Sequence, residues 1–249
     1  MLRSLIWSGF FLLTPLLSLY TQYTETQSGR EILSEKAAAE RGRYDSLFRV
    51  DLQLVDGRAH TSSYPSGIGH PFFLTGEPVP GTIRMDGKNF KNSFIRYDLL
   101  NDMLQIYHFT VSGPQIIDLN KKKIEAFRIA GYQFIHFSSA KIQGVSAKEG
   151  FYEEKYKGSS FSYLVRREKI FTENITGSRG GYEEYTYRYL STPGAMFRIT
   201  SRSSLLKAFD ENREQIKEYI RKLGLTVKLA TDEEIIDLIK YNELITGTR

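Results

Sequence analysis

The central part of the chain alternates between hydrophobic and polar residues over short runs, which is the two-residue period of a β-strand. The run from 46 to 55 predicts one strand, ending at a turn formed by Asp56-Gly57. Further turn signals, such as Asp86-Gly87 and Ala130-Gly131, recur at short intervals up to about residue 200. No helix-length pattern interrupts these runs, so we predict an antiparallel sandwich or barrel-like sheet of many short strands over residues 46–200.

The hydrophobic period changes near residue 201, where apolar residues begin to recur at the three- and four-residue spacing of a helix. Ser203 or Ser204 can cap the first helix, and Thr231 with Glu234 has the spacing of a capping box. The expected fold is therefore mainly β, of the α+β type, with a pair or trio of helices in residues 201–249 packed on the sheet.

The two runs that flank Asn101-Asp102 have matching patterns. If these two residues form the hairpin turn, alternation divides the flanking side chains between the two faces of the sheet. The apolar face then holds Ile95, Tyr97, Leu99, Leu104, Ile106 and His108. The other face, called the polar face below, holds Arg96, Asp98, Gln105 and Tyr107.

The polar face is the first candidate site. Its charged and hydrogen-bonding side chains could bind an anion or a saccharide. The alternative is a solvated sheet face with a cross-strand ion pair, which would contribute at most about 1 kcal/mol to stability.

The same pairing logic predicts an irregularity in the preceding hairpin. A turn at Asp86-Gly87 pairs Ile83 with Phe90, but Phe90 has the opposite parity to Ile95. Both residues reach one core only if the strand slips by one residue between them. We therefore expect a β-bulge near Lys91–Ser93.

A second candidate surface lies in the segment GYEEYTYRYL, residues 181–190. Alternation places Tyr185, Tyr187 and Tyr189 on one face. This tyrosine strip could bind sugar rings or a partner protein. Alternatively, it packs beneath the C-terminal helices.

The amino terminus has the pattern of a secretory signal. Arg3 precedes an apolar stretch from Leu5 to Tyr20, which is short for a membrane span and contains Pro15. We predict a signal peptide at 1–22, followed by a mobile lead-in at 23–45. An uncleaved anchor is the alternative, and membrane contact is expected only in that case.

The composition excludes several classes of chemistry. The chain has no cysteine, which rules out disulfide-linked partners and thiolate metal sites. For an exported chain, this favours the periplasm or cell surface of a Gram-negative bacterium. The net charge is +5, and the one dense basic run, Lys121-Lys122-Lys123, lies beside a turn, so nucleic-acid binding is not expected.

No cofactor or metal is expected, because the four histidines lack metal-ligand spacing and no nucleotide-binding loop is present. No serine-nucleophile motif occurs either. Each of the pairs Glu153-Glu154 and Glu183-Glu184 lies within one predicted strand, so its two side chains point to opposite faces. Catalytic carboxylates would therefore have to come from separate strands, and no catalytic residue stands out.

The order of several short motifs resembles a family of exported β-rich proteins of Gram-negative bacteria that has no assigned activity. The motifs are Gly81-Thr82-Ile83, Asp86-Gly87, Arg96-Tyr97-Asp98, Asn101-Asp102, Gly150-Phe151-Tyr152-Glu153, Lys157-Gly158 and the run Leu164–Lys169. The resemblance covers roughly residues 70–245, and it implies export and a β-rich fold without implying a mechanism.

Three functions fit these features. The leading hypothesis is an exported envelope protein that is not an enzyme and binds a partner protein or a glycan. The second is an envelope hydrolase that uses carboxylates from separate strands. The third is a structural or assembly factor tethered to the membrane by its amino terminus.

Overall fold

A computed structural model describes residues 34–36, 57–61, 63–110, 113–138, 147–173 and 180–247. The chain divides into two units, Met1–Arg49 and Val50–Arg249, and the second contains the fold described below. The predicted signal peptide and the strand predicted at 46–55 lie outside the described residues. Within the lead-in, residues 34–36 are helical.

The described strands form one antiparallel sheet of eleven strands in the order β1-β5-β4-β3-β2-β6-β7-β8-β9-β10-β11, and this sheet is not closed. The strands are β1 (Gly57–Ala59), β2 (Val79–Met85), β3 (Lys88–Asp98), β4 (Met103–Thr110), β5 (Gly113–Leu119), β6 (Ile124–Ile129), β7 (Tyr132–Phe137), β8 (Gly150–Lys157), β9 (Ser162–Thr172), β10 (Gly181–Ser191) and β11 (Met196–Ile199). The predicted mainly-β fold is confirmed. Gly57 begins β1, and Asp56, the other residue of the turn predicted at Asp56-Gly57, lies outside the described residues.

A first core lies on the inner face of strands β2 to β8. Phe127 and Phe134 stack with their ring centroids 4.8 Å apart, and Tyr97 and Phe151 meet the Phe127 ring edge-on. The apolar residues predicted for the 95–106 hairpin face this core and are almost fully buried: Ile95, Tyr97, Leu99, Leu104 and Ile106. That part of the sequence prediction is confirmed.

Three helices pack on the other part of the sheet: α1 (Arg202–Ala208), α2 (Arg213–Lys222) and α3 (Asp232–Gly247). Together with Tyr163, Val165 and Leu190 they enclose a second core. Among the described residues, none of the helices has the length and apolar character needed to cross a membrane.

The helix boundaries depend on side-chain caps. The capping box predicted at the start of α3 is present, because the Thr231 N–H donates to Glu234 at 2.8 Å and the Glu234 N–H donates to the Thr231 hydroxyl at 3.2 Å. The predicted N-cap of α1, Ser203 or Ser204, is wrong by two or three residues. Ser201 is its N-cap, and Ser204 completes the capping box as the third helical residue.

The hairpin of β3 and β4 has a wider turn than predicted. Arg96 pairs with Gln105, two residues from the predicted register, and residues 99–102 form the turn. The carboxylate of Asp98 accepts hydrogen bonds from the Leu100 N–H at 2.9 Å and the Asn101 N–H at 3.1 Å, which stabilises the larger turn. A shift of two residues keeps every side chain on its predicted face.

The predicted β-bulge is confirmed. Ile83 pairs with Phe90 and Gly81 pairs with Ser93, so β3 contains one extra residue between these pairs. Asn92 lies in this interval with φ of 56°, a conformation that asparagine tolerates better than most residues.

Residues 63–76, called the covering segment below, cross the outer face of β3 and continue to β10. The Leu99 N–H donates to the Pro71 carbonyl at 2.9 Å, and Ile68 forms an isolated bridge with Gly181. The Lys169 ammonium donates to the carbonyls of His70 at 3.0 Å and Phe72 at 2.7 Å. Segment 63–76 therefore connects strands that are far apart in the sheet.

Candidate functional site

The polar face is buried beneath the covering segment. Arg96 is 9% exposed, Asp98 1% and Gln105 0%, whereas Tyr107 is half-buried. The interpretation as a solvated sheet face is therefore wrong. The sequence pattern could not show that a Ser-, Gly- and Pro-rich loop crosses this face.

Within the described part of the chain, Arg96 donates its hydrogen bonds to neutral groups. Its Nε and Nη2 atoms donate to Gln105 Oε1 at 3.0 and 2.8 Å, and Nη1 donates to the Gly76 carbonyl at 2.9 Å. The guanidinium carbon lies 3.7 Å from the ring centroid of Phe72 and 5.4 Å from that of Tyr107. These contacts compensate for the water that the cation loses on burial.

The network continues from Gln105 to two further side chains. Its amide nitrogen donates to Asp118 Oδ1 at 2.8 Å and lies 3.1 Å from the Tyr64 hydroxyl, which donates to Asp98 at 2.9 Å. Burial and the adjacent Asp98 carboxylate raise the pKa of Tyr64, so this hydroxyl remains protonated. Arg96, Asp98 and Gln105 therefore attach the covering segment to the sheet.

His60 extends the network beyond the end of β1. Its Nδ1 atom lies 2.9 and 3.0 Å from the two Asp118 oxygens and 3.0 Å from the Gln105 amide nitrogen. Its Nε2 atom is buried and has no hydrogen-bond partner in the part of the chain that the structure describes. No group of three or more metal-ligating side chains occurs among the described residues.

The tyrosine strip lies on the face opposite the helices. Tyr189 is 5% exposed, Arg198 covers the Tyr187 ring at 4.5 Å, and Tyr185 is 40% exposed and donates to Glu183 at 2.8 Å. Leu190 lies on the other face of β10 and packs against the helices. The interpretation that the strip packs beneath the helices is therefore wrong, and its use as a binding surface stays a prediction.

A cavity of about 870 Å³ opens where β1, the β3–β4 turn and the β5–β6 turn come together. This groove is lined by charged side chains, namely Arg58, Asp118, Lys121, Lys122 and Glu149, and by the apolar Met103 and Leu119. The sequence reasoning missed this site. The signal in the sequence is the basic run Lys121-Lys122-Lys123 beside a turn.

A half-buried carboxylate supports one wall of the groove. Asp102 accepts a hydrogen bond from the Tyr97 hydroxyl at 2.6 Å and from the Phe151 N–H at 3.4 Å. It also contacts the Lys121 ammonium, and the Arg166 guanidinium lies 3.5 Å away. Burial raises the pKa of Tyr97, and Asp102 raises it further. This Asp102 cluster holds Lys121 in one position.

The two carboxylates of the groove differ in their availability. Both oxygens of Asp118 are engaged by His60, and Oδ1 also accepts from Gln105. The side chain of Glu149 is 45% exposed, and Oε1 lies 3.7 Å from His136 Nε2. Burial lowers the pKa of His136, although Glu149 opposes this shift. Glu149 is therefore the carboxylate that a ligand can reach.

Carboxylates from separate strands also converge elsewhere. Arg167 lies 2.8 Å from Glu153 on β8 and 3.2 Å from Glu184 on β10, and Lys155 lies 2.6 Å from Glu153. Glu153 is almost fully buried in these ion pairs. This cluster therefore joins strands and offers no accessible acid–base pair.

Comparison of the chain with protein-family models, with curated proteins and with solved structures finds no match.

Proposed function

We propose that this protein is an exported, non-enzymatic protein of the Gram-negative envelope that binds a glycan or a partner protein in the groove. The observation that carries the proposal is the charge on the groove walls. Arg58 and Lys122 are exposed there, and neither side chain has a charged partner in the described part of the chain. The proposal that the protein is exported rests on the signal-peptide pattern of its amino-terminal sequence.

The environment of the groove carboxylates favours binding over hydrolysis. Acid–base hydrolysis of a glycosidic bond requires two carboxyl groups that face the substrate. In this groove, His60 and Gln105 occupy the oxygens of Asp118, so Glu149 is the accessible carboxylate among the lining residues that the structure describes.

A pull-down tests the proposal. The immobilised chain is incubated with solubilised envelope from a Gram-negative bacterium, and retained glycan and protein are analysed separately. We expect retention of one of them, and at least tenfold less retention by the double variant Arg58→Ala/Lys122→Ala. Retention of neither by the unaltered chain, or equal retention by the variant, contradicts the proposal. Amino-terminal sequencing of the secreted protein checks cleavage near residue 22.

A hydrolase remains the second candidate, because Asp118 and Glu149 come from separate segments and line the same groove. In that case the purified protein would cleave envelope glycan, and Glu149→Gln would slow cleavage by at least about a hundredfold. The binding proposal instead predicts that the retained glycan has an unchanged length distribution after incubation with either protein.

A further inference from the structure

The three consecutive lysines beside the groove have different partners. The Lys121 ammonium contacts Asp102, and that of Lys123 lies 3.7 Å from Asp86. Lys122 is exposed, and its side chain makes no hydrogen bond or ion pair with any residue that the structure describes. Its backbone N–H donates to the Asn120 side chain at 3.2 Å, which fixes the turn that presents it. The charge of Lys122 is therefore available to a ligand.

Arg58 is available for a different reason. It lies directly opposite Asp118 in the β1–β5 register, yet Asp118 is oriented toward His60 and Gln105. Arg58 therefore has no ion-pair partner within the described ranges. An arginine fork and a lysine ammonium on one concave surface attract a carboxylate or a phosphate group.

Glu149 imposes a second requirement on the ligand. Its half-exposed carboxylate also lines the groove, so it repels a free anion but accepts hydrogen bonds from hydroxyl groups. A ligand that carries both hydroxyl groups and an acidic group satisfies both requirements.

The lining also argues against a protein partner. Protein interfaces concentrate aromatic side chains in their buried centre. None of the described residues that line this groove is aromatic, and Met103 and Leu119 are its large apolar side chains. The cations and the accessible carboxylate that line the groove beside Met103 and Leu119 provide hydrogen-bonding groups for a hydroxylated, acidic ligand.

We propose that the groove binds a saccharide that carries an acidic substituent. Arg58 and Lys122 bind the acidic group, and Glu149 accepts a hydrogen bond from a sugar hydroxyl. This assignment rests on the proposed function and narrows its ligand to an acidic glycan. The Asn120 side chain, which accepts a hydrogen bond from the Lys122 N–H at 3.2 Å, keeps the Lys122 backbone in place before the ligand arrives.

Calorimetric titration of the full chain with two matched oligosaccharides tests the assignment. The probes are tetragalacturonate and the neutral galactose tetramer of the same linkage, and inorganic phosphate is the free-anion control. We expect tetragalacturonate to bind at least tenfold more tightly than the neutral tetramer, and phosphate to bind more weakly than tetragalacturonate.

Two double variants with the same loss of charge complete the test. Arg58→Ala/Lys122→Ala should lose at least tenfold in affinity for tetragalacturonate. Lys207→Ala/Arg213→Ala, at exposed positions of α1 and α2, should bind it as the unaltered chain does. Equal losses in the two variants would show a general charge effect and would overturn the assignment.

The remaining outcomes separate this assignment from the function on which it rests. Equal affinity for the acidic and neutral tetramers, tighter binding of phosphate, or no binding of tetragalacturonate overturns the acidic-saccharide assignment. If the pull-down still retains a protein or a neutral glycan through the groove, the proposed function stands and only the acidic-saccharide assignment fails. If the pull-down retains nothing, both fail.

Discussion

Arg96 is a buried cation, and no carboxylate among the described residues is in direct contact with it. Two carbonyl oxygens, from Gln105 and Gly76, accept its hydrogen bonds, and the rings of Phe72 and Tyr107 flank its guanidinium plane. Arginine suits this position because its guanidinium is planar, weakly hydrated and forked. A lysine ammonium has a single nitrogen, so it cannot reproduce both the stacking and the divergent hydrogen bonds.

We predict that Arg96→Lys destabilises the protein by about 2–3 kcal/mol, because it leaves a buried acceptor unsatisfied and keeps a buried charge. Urea unfolding measures the change in the free energy of unfolding. The control is Arg84→Lys, in an exposed ion pair with Glu125, which should change stability by less than about 0.5 kcal/mol. Similar effects of the two substitutions would contradict the structural role of Arg96.

Gly150 is packed too closely for a side chain. A Cβ atom at this position would overlap the Asp102 carboxylate and lie 2.5 Å from Arg166 Nη1. We predict that Gly150→Ala lowers the free energy of unfolding by about 2–3 kcal/mol, since the Asp102 cluster must rearrange. Gly113→Ala is the matched control, because Gly113 also has a positive φ, 110° against 153° at Gly150, but a Cβ there has no heavy atom within 4 Å. Equal stability of the two variants in urea unfolding would contradict the close packing at Gly150.

At the scale of elements, one side chain attaches α3 to the turn between β8 and β9. Glu243 accepts hydrogen bonds from the Tyr156 hydroxyl, the Ser159 hydroxyl and the Ser160 N–H, each at 3.1 Å. Burial raises the pKa of Glu243, but the hydrogen bonds from Ser160, Tyr156 and Ser159 outweigh it, so the net shift is downward. The ionised form of Glu243 therefore stabilises the contact between α3 and the sheet.

This lowered pKa fixes the direction of a pH effect. The contribution of Glu243 is fully present above its ordinary pKa of 4.5 and disappears as the pH falls through the lower pKa of the folded state. We predict that Glu243→Gln costs about 1 kcal/mol at pH 7 and that the difference from the unaltered chain shrinks as the pH falls below about 4. In pH-dependent urea unfolding, Glu218→Gln, on the exposed surface of α2, is the control and should change the free energy of unfolding at pH 7 by less than about 0.5 kcal/mol. A difference that grows toward acid pH would contradict the assigned role.

The alternation of side chains determines which parts of these elements the sequence could predict. It placed the 95–106 hairpin on the correct faces and required the bulge at Asn92, because a face mismatch of one residue is visible in the pattern. The predicted register of this hairpin differs from the observed one by two residues. A shift of two residues leaves every side chain on the same face of the sheet, so the pattern cannot reveal it. The pattern could not predict the path of the covering segment, which is attached mainly through backbone carbonyls and single aromatic rings.

At the scale of the whole molecule, the groove is assembled from distant segments. Arg58, Met103, Lys122 and Glu149 come from four separate parts of the chain, and only the fold of the sheet brings them together. No local sequence pattern contains more than one of these parts, so a site of this kind cannot be predicted from periodicity. The sequence predicted the sheet and the C-terminal helices. The structure was needed to show where the unpaired charges lie on them.

Mapping of backbone amide NMR shifts tests whether this protein binds its ligand in the groove. The probe is the glycan or protein fraction that the immobilised chain retains, added to the chain in solution. We predict that the largest changes in amide shift lie at residues 57–58 and 118–122. These changes should be smaller in the double variant Arg58→Ala/Lys122→Ala. Changes concentrated at residues 183–189 around the tyrosine strip, and unaffected by that double variant, would contradict it.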